Sequence, residues 1–282
     1  MKVLVTGANG YLGSGVVKKL LDMGVTVIAT DIATTHIDSR ARIYQCNLFE
    51  IANPFEYFEE PEVIVHMAWR DGFIHNSINH ILDLHKHYEF LLKMCAGGVR
   101  KISVLGSMHE IGFHEGSIDE DTPTDPRTLY GISKDTLRQL TKLMCVEQNT
   151  EYQWLRGYYI VGTSDNGASI FSKIIQSEKD GKEKFPFTTG QNQFDFIDYD
   201  MFCDLLSKVV LQDDVCGVIN ICSGKPERLS DRIETFLKEN NLNIKLEYGV
   251  FPERPNESKA IWGNDKKLNL ALESYYRRQN ES

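Results

Sequence analysis

Val3-Leu4-Val5-Thr6-Gly7-Ala8-Asn9-Gly10-Tyr11-Leu12-Gly13 decides the fold of this chain. The apolar start reads as a short buried strand. A glycine turn follows, and then apolar residues at helical spacing (Val16, Val17, Leu20, Leu21) until Gly24 stops the helix. A second strand over Val25–Thr30 ends at Asp31. Strand, glycine turn, helix, strand and acidic residue together form a cradle for a dinucleotide pyrophosphate. Gly7 permits the tight turn, Gly10 lets the backbone approach the phosphates, and Gly13 lets the helix lie close to the sheet. The helix N-terminus offers free N–H groups and the positive end of its dipole. Asp31 stands where a carboxylate accepts from ribose hydroxyls and repels a 2′-phosphate, which favours NAD over NADP. Arg40 and Arg42 lie nearby and pull the other way.

Outward from this unit the alternation continues. Ile43–Gln45 reads as an edge strand, Val63–Met67 as a buried parallel strand, Ile81–Cys95 as an amphipathic helix and Ile102–Leu105 as a strand. Tyr130–Glu147 is a long helix with Pro126 set just before it, and Tyr152–Leu155 leads into the next strand. Such alternation predicts an α/β fold, a doubly wound (Rossmann) parallel sheet. The expected division is a NAD-binding Rossmann domain over 1–162 and a smaller C-terminal substrate-binding domain over 163–282. Part of the latter, with a strand at Val218–Ile221, returns to the main sheet. The tail from Glu253 reads simply as charged.

Composition narrows the function class. The 282 residues are 41% hydrophobic, enough for an ordinary core, and the net charge of −9 argues against non-specific nucleic-acid binding. No stretch approaches the roughly 18–20 apolar residues that span a bilayer, and no signal-peptide pattern is visible. Six scattered cysteines without a CxxC pair read as reduced thiols of a cytoplasmic protein.

Tyr130-Gly131-Ile132-Ser133-Lys134 sets a phenol and an ammonium four residues apart on one helix face. A free phenol titrates near ~10. An adjacent ammonium favours the phenolate, so Tyr130 can serve as general acid or base. Ser107 falls just past the strand Ile102–Leu105, at the carboxyl edge where doubly wound sheets bind ligands. A hydroxyl there hydrogen-bonds a reacting carbonyl or alcohol oxygen. Ser107, Tyr130 and Lys134 are therefore the candidate catalytic residues. The histidines His75, His80, His85, His87, His109 and His114 show no tight ligand spacing. They read as solvated or loop residues, and no metal site is expected. His109 is set apart, because two residues from Ser107 it is placed to contact substrate or assist proton transfer.

These residues together resemble the extended short-chain dehydrogenase/reductase family, the NAD-dependent epimerases and dehydratases that act mostly on nucleotide sugars. Thr6–Gly13 is similar to its TGxxGxxG and His66-Met67-Ala68 to its cofactor-lining HxA. Gln45-Cys46-Asn47-Leu48 occupies the place of its adenine-side Asp-Leu, with Asn47 for Asp. Leu105-Gly106-Ser107 with Ile111-Gly112, and Tyr130–Lys134 as YGxSK, resemble its catalytic motifs. Leu155-Arg156 with Gly162, Asp195-Phe196-Ile197 with Asp200, and Gly217–Ser223 resemble its later ones. The resemblance implies NAD contacts from Gly7, Asn9, Gly10, Tyr11, Leu12, Gly13, Asp31, Asn47, Leu48, Met67, Ala68, Tyr130 and Lys134.

Three departures shape the substrate side. The Asp-Glu pair that the family's dehydratases carry after the catalytic residue is Met108-His109 here, which argues against a 4,6-dehydratase. Tyr159 replaces a substrate Asn, and Phe194 replaces a diphosphate Arg, leaving Arg254 as the family's later diphosphate ligand. Met108, His109, Tyr159 and Arg254 are the expected substrate residues. The first expectation is a reductase of a 4-keto nucleotide-linked 6-deoxyhexose. The second is a 4-epimerase that keeps NAD bound and turns over without net redox change. A third, from another class, is a dinucleotide-sensing protein without chemistry, which has no reason to keep Ser107, Tyr130 and Lys134 together. The resemblance also implies a homodimer paired through the helices Ile81–Cys95 and Tyr130–Glu147.

Overall fold

The computed structural model describes residues 1–162, 169–253 and 257–281. Among them, seven strands form one sheet in the order Gly217–Ile221, Glu151–Gly157, Lys101–Ser107, Val63–His66, Lys2–Thr6, Thr26–Asp31, Arg42–Gln45. Every pairing in it is parallel. A strand's side chains alternate between faces, and a parallel sheet buries both. Val3, Val5, Val27, Ala29, Val63 and Val65 thus enter one core cluster, while Leu4, Ile28 and Ile64 enter the other. Full burial of one such side chain contributes roughly 1.5–3 kcal/mol.

Helices Tyr11–Asp22 and Tyr199–Leu211 pack on the first face. Asn79–Gly97 and Leu129–Glu147 pack on the second. Strand order reverses between Lys2–Thr6 and Val63–His66. Doubly wound sheets open a crevice at such a reversal, beyond the carboxyl ends of the strands.

A second sheet runs in the order Pro226–Arg228, Gln193–Asp198, Ala260–Gly263, Gly116–Ile118, with Tyr159–Val161 also pairing to Gln193–Asp198. Its core includes Met108, Ile118, Phe171, Phe194 and Phe236. The chain crosses between the sheets. Gly116–Ile118 comes from the first half, whereas Gly217–Ile221 comes from the second half and joins the large sheet. The tail is more than charged: it forms the strand Ala260–Gly263 and the helix Lys266–Glu281. Leu268, Ala271 and Tyr275 lie on one face of that helix and close the first core cluster.

Candidate active site

The helix Tyr11–Asp22 starts at Gly10 with no side-chain cap, so its first N–H groups stay open to a ligand. Gly7 has φ +68°, and a Cβ on it would lie 2.6 Å from the Ala68 nitrogen. A Cβ on Gly13 would lie 2.0 Å from the Gly7 carbonyl oxygen. Only glycine lets turn, helix and the Met67-Ala68 segment meet this closely. Thr6 Oγ1 ties the same segment down, accepting from Met67 N at 3.2 Å and Ala68 N at 3.3 Å.

Asp31 turns its carboxylate back to the turn, accepting from Asn9 N at 3.0 Å and Ile32 N at 2.7 Å. The Asn9 side chain accepts from His36 N at 2.7 Å. The neighbouring arginines are engaged elsewhere. Arg40 pairs with Asp22 at 2.8 Å and Asp38 at 2.7 Å, and Arg42 pairs with Glu59. Neither is left to favour a 2′-phosphate. The Tyr11 ring lies 4.4 Å from that of Tyr199, whose hydroxyl donates to the Tyr11 carbonyl. Leu12 packs on the first core cluster. Asn47 caps the short turn after the third strand, accepting from Phe49 N at 3.2 Å, while Leu48 and Met67 are buried. An uncapped helix end, a glycine turn and an oriented carboxylate fit a bound dinucleotide.

Ser107 ends the strand Lys101–Ser107, and Tyr130 and Lys134 open the helix Leu129–Glu147. Thr128 caps that helix, its Oγ1 accepting from Gly131 N at 3.1 Å. The loop before the helix Asn79–Gly97 fixes its first turn: His75 O accepts from Tyr130 N at 2.8 Å, and Asn76 Oδ1 from Leu129 N at 3.2 Å. The Ser107 hydroxyl acts on the Tyr130 phenol in the direction that favours its ionised form. Burial pushes the phenol up to about 12, with Ser107 opposing the rise. Lys134 Nζ donates to Leu105 O at 2.8 Å. Burial pushes its ammonium down to about 7, opposed by the charge of Glu110. A half-buried phenol that keeps its proton, beside a hydroxyl and a labile ammonium, can donate a proton to a developing alkoxide.

Four more rings surround the phenol: His75 stacked at 5.6 Å, His80 at 5.3 Å, His109 at 5.9 Å and Trp69 at 6.1 Å between centroids. The solvated reading of the histidines is corrected for His80 and His87, which are 1% and 3% exposed. His80 Nδ1 accepts from Trp69 Nε1 at 3.0 Å, and His87 Nδ1 lies 2.9 Å from His66 Nε2. The spacing held the signal. His80 and His87 fall seven apart, on the helix face that carries Leu91 and Met94 inward. Among the described residues no group of three His, Cys, Asp or Glu is placed to hold a metal ion.

On the substrate side, His109 lies 4.4 Å from His75. The Tyr159 ring meets Phe194 at 4.6 Å and Phe196 at 5.7 Å. Met108 is buried in the core of the second sheet. Arg254 lies outside the described residues. Sequence reading missed Trp69, whose face covers Lys134, and Glu110, which is fully buried behind Ser107. Ser107-x-x-Glu110 is the spacing of a capping box, and that local signal could have found Glu110. Trp69 carries none, since its partners His80, His87 and Lys134 lie further along the chain.

The sequence profile of the NAD dependent epimerase/dehydratase family matches residues 3–222. The chain belongs to that family. Membership makes it an enzyme of the extended short-chain dehydrogenase/reductase type, with NAD as cofactor. The epimerase/dehydratase chain is 39% identical over 270 residues to dTDP-6-deoxy-L-talose 4-dehydrogenase (NAD(+)) of Aggregatibacter actinomycetemcomitans, covering 93% of this chain and 99% of that protein. Its fold is similar to that of the UDP-N-acetylglucosamine 4-epimerase from Methanobrevibacter ruminantium M1 in complex with UDP-N-acetylmuramic acid. The TM-score is 0.83 at 17% identity, covering 100% of this chain and 99% of the other. It is also similar to the UDP-glucuronic acid 4-epimerase from Bacillus cereus in complex with UDP-glucuronic acid and NAD. Here the TM-score is 0.81 at 19% identity, with 97% and 93% covered.

Proposed function

We propose that this enzyme interconverts the 4-keto and 4-hydroxy forms of a nucleotide-linked 6-deoxyhexose, NADH being the reductant. The observation that carries the reading is that Ser107 ends the strand Lys101–Ser107 where the first turns of the helix Leu129–Glu147 bring Tyr130 and Lys134, with Lys134 Nζ donating to Leu105 O, two residues before Ser107, at 2.8 Å. The dTDP-6-deoxy-L-talose 4-dehydrogenase, similar along nearly its whole length, supports the sugar class. So does Met108-His109 in place of an acidic pair.

NAD, when bound, supplies the hydride chemistry at the sugar's fourth carbon. Ser107 donates a hydrogen bond to the reacting oxygen and polarises it. Tyr130 gives its proton to that oxygen in reduction and removes it in oxidation. Lys134 holds positive charge beside the phenol, which lowers the cost of the phenolate. Gly7, Asn9, Gly10, Tyr11, Leu12 and Gly13 hold the pyrophosphate side. Asp31, Asn47 and Leu48 hold the adenosine side, and Met67 and Ala68 line the crevice. His109 and Tyr159 face the sugar, Met108 backs them from the apolar core, and Arg254 takes the diphosphate.

The large sheet is the NAD-binding part and the second sheet the substrate-binding part. A second copy covers the exposed apolar face of the helices Asn79–Gly97 and Leu129–Glu147, giving a homodimer. The reading places the enzyme in the reducing cytoplasm, where its six cysteines, none in a disulfide, stay thiols.

The test is a screen of dTDP- and UDP-linked 4-keto and 4-hydroxy sugars, followed by nicotinamide absorbance. The expected result is NADH consumption with a 4-keto-6-deoxyhexose, abolished in Tyr130→Phe. Interconversion of 4-epimers without net NADH change would instead support the 4-epimerase reading.

A further inference from the structure

Glu110 is a carboxylate with no exposure to solvent, placed three residues after Ser107. A buried charge is costly unless its oxygens are satisfied, and these are satisfied by donors alone. Oε1 accepts from the Ser107 backbone N–H at 2.6 Å and from Trp154 Nε1 at 2.9 Å. Oε2 accepts from Trp154 Nε1 at 2.9 Å and from Arg156 Nε at 3.5 Å. Burial pushes the Glu110 carboxyl above its ordinary value, opposed by Arg156, the Ser107 N–H, Trp154 and Lys134. A protonated carboxyl would present a donor to partners that are themselves donors, so this shell favours the ionised form against that burial. Gly106 makes the arrangement possible. A Cβ there would lie 2.1 Å from Trp154 Nε1 and 2.8 Å from Glu110 Oε1. Arg156 is itself 1% exposed and anchored by Asp119 O at 3.0 Å and Asn220 Oδ1 at 3.4 Å. Anchor, carboxylate and Ser107 therefore form one rigid unit behind the reactive rim.

We propose that Glu110 is a positioning residue of the reaction: its carboxylate fixes the Ser107 backbone and places behind the site a negative charge that favours the ammonium form of Lys134. The inference rests on the reading that Ser107, Tyr130 and Lys134 carry the chemistry.

The charges around the group bear this out. Glu110 faces Arg156 on the strand Glu151–Gly157 and Lys134 on the helix Leu129–Glu147, and its charge is felt by Tyr130, Tyr152 and Tyr158. Lys134 faces Glu110, the Trp69 ring, and the imidazoles of His66 and His87, which burial holds neutral. Burial drives Lys134 toward its neutral form, and Glu110 is the charge that opposes it. Burial holds the proton on Tyr130, and the same charge adds to that hold. Removing it shifts both titrations to lower pH.

The experiment measures the pH profile of kcat/KM for NADH-dependent reduction in the wild-type enzyme and in Glu110→Gln, Glu110→Asp and Tyr130→Phe. Glu110→Gln should move the alkaline limb down by about one pH unit, equivalent to about a tenfold loss on that limb, with KM for NADH held within about twofold. Glu110→Asp keeps the charge but is one methylene short. It should leave the limb in place and lower kcat at all pH, because the Ser107 bond is lost. A folded Glu110→Gln enzyme with the wild-type limb would overturn the proposal. If Glu110→Gln does not fold, Glu110→Asp decides: lowered kcat at an unmoved limb supports the proposal, and wild-type kcat overturns it. Tyr130→Phe separates the two levels. If it is inactive while Glu110→Gln behaves as wild type, only the role of Glu110 fails. If it retains full turnover, the underlying assignment fails as well.

Discussion

Lys134 holds its ammonium 3.9 Å from the centre of the Trp69 ring. The ring is itself fixed by its hydrogen bond to His80 and by stacking on His87 at 4.6 Å between centroids. In a desolvated site such a cation–π contact stabilises the charge by about 2 kcal/mol. It therefore works with Glu110 against the burial of Lys134. Trp69→Leu should lower kcat/KM at pH 8 by roughly tenfold, while Trp69→Phe should retain most of it. Steady-state kinetics of the two variants check this. Equal losses would show that the ring face is not what holds the ammonium.

Asp31 receives two backbone N–H groups and is oriented by the turn it serves. On the proposed reading its remaining acceptor capacity serves the ribose hydroxyls. Asp31→Ser should weaken NAD binding by roughly ten- to a hundredfold, the range for a hydrogen bond to a charged group. It should narrow the preference against NADP as well. Titration calorimetry with both dinucleotides tests it, and unchanged NAD affinity would remove Asp31 from the site.

His66 and His87 form a buried pair beneath the crevice. Burial holds His87 down at about 3 and His66 well below the usual imidazole range. The unfolded chain binds protons near ~6.5, so below that pH the unfolded state takes up protons that the folded state refuses. Their contribution to stability is complete above about pH 6.5 and lost as pH falls toward 3. Each histidine adds a slope of about 1.4 kcal/mol per pH unit over that window. Denaturant unfolding at pH 7 and 5.5 should show the fall. His87→Phe, which keeps the ring under Trp69, should flatten it.

Leu143 and Val146 are 63% and 75% exposed on the helix that carries Tyr130, and Leu82 is 54% exposed on the neighbouring helix. Isolated apolar residues on a surface are ordinary; on the proposed dimer reading these are the ones a second copy covers. Light scattering should find a dimer in the wild-type protein and a monomer in Leu143→Glu/Val146→Glu. A wild-type monomer would contradict the pairing.

The glycine turn, the parallel strands and the YxxxK helix were legible in the sequence because each rests on local spacing. Ser107 was legible through topology, since a residue just past a parallel strand falls at the ligand-binding rim. Trp69, the contact of Glu110 with Trp154 and that of His66 with Thr6 were not, and the reason is physical. A polar residue is buried when a partner distant in the chain satisfies it, as Trp154 satisfies Glu110 and Thr6 Oγ1 meets His66 Nδ1 at 2.8 Å. No window of neighbouring residues contains that information. The closing helix Lys266–Glu281 was hidden for a different reason. Its apolar face is one narrow stripe within a strongly charged segment.

The most direct test follows the hydride. Reduction of a dTDP-4-keto-6-deoxyhexose with NADH carrying deuterium at both positions of the nicotinamide C4 should yield one deuterium at the sugar's fourth carbon per NADH consumed. The same label should fail to transfer in Tyr130→Phe. A product carrying no deuterium at that carbon, or full transfer by Tyr130→Phe, would contradict the account.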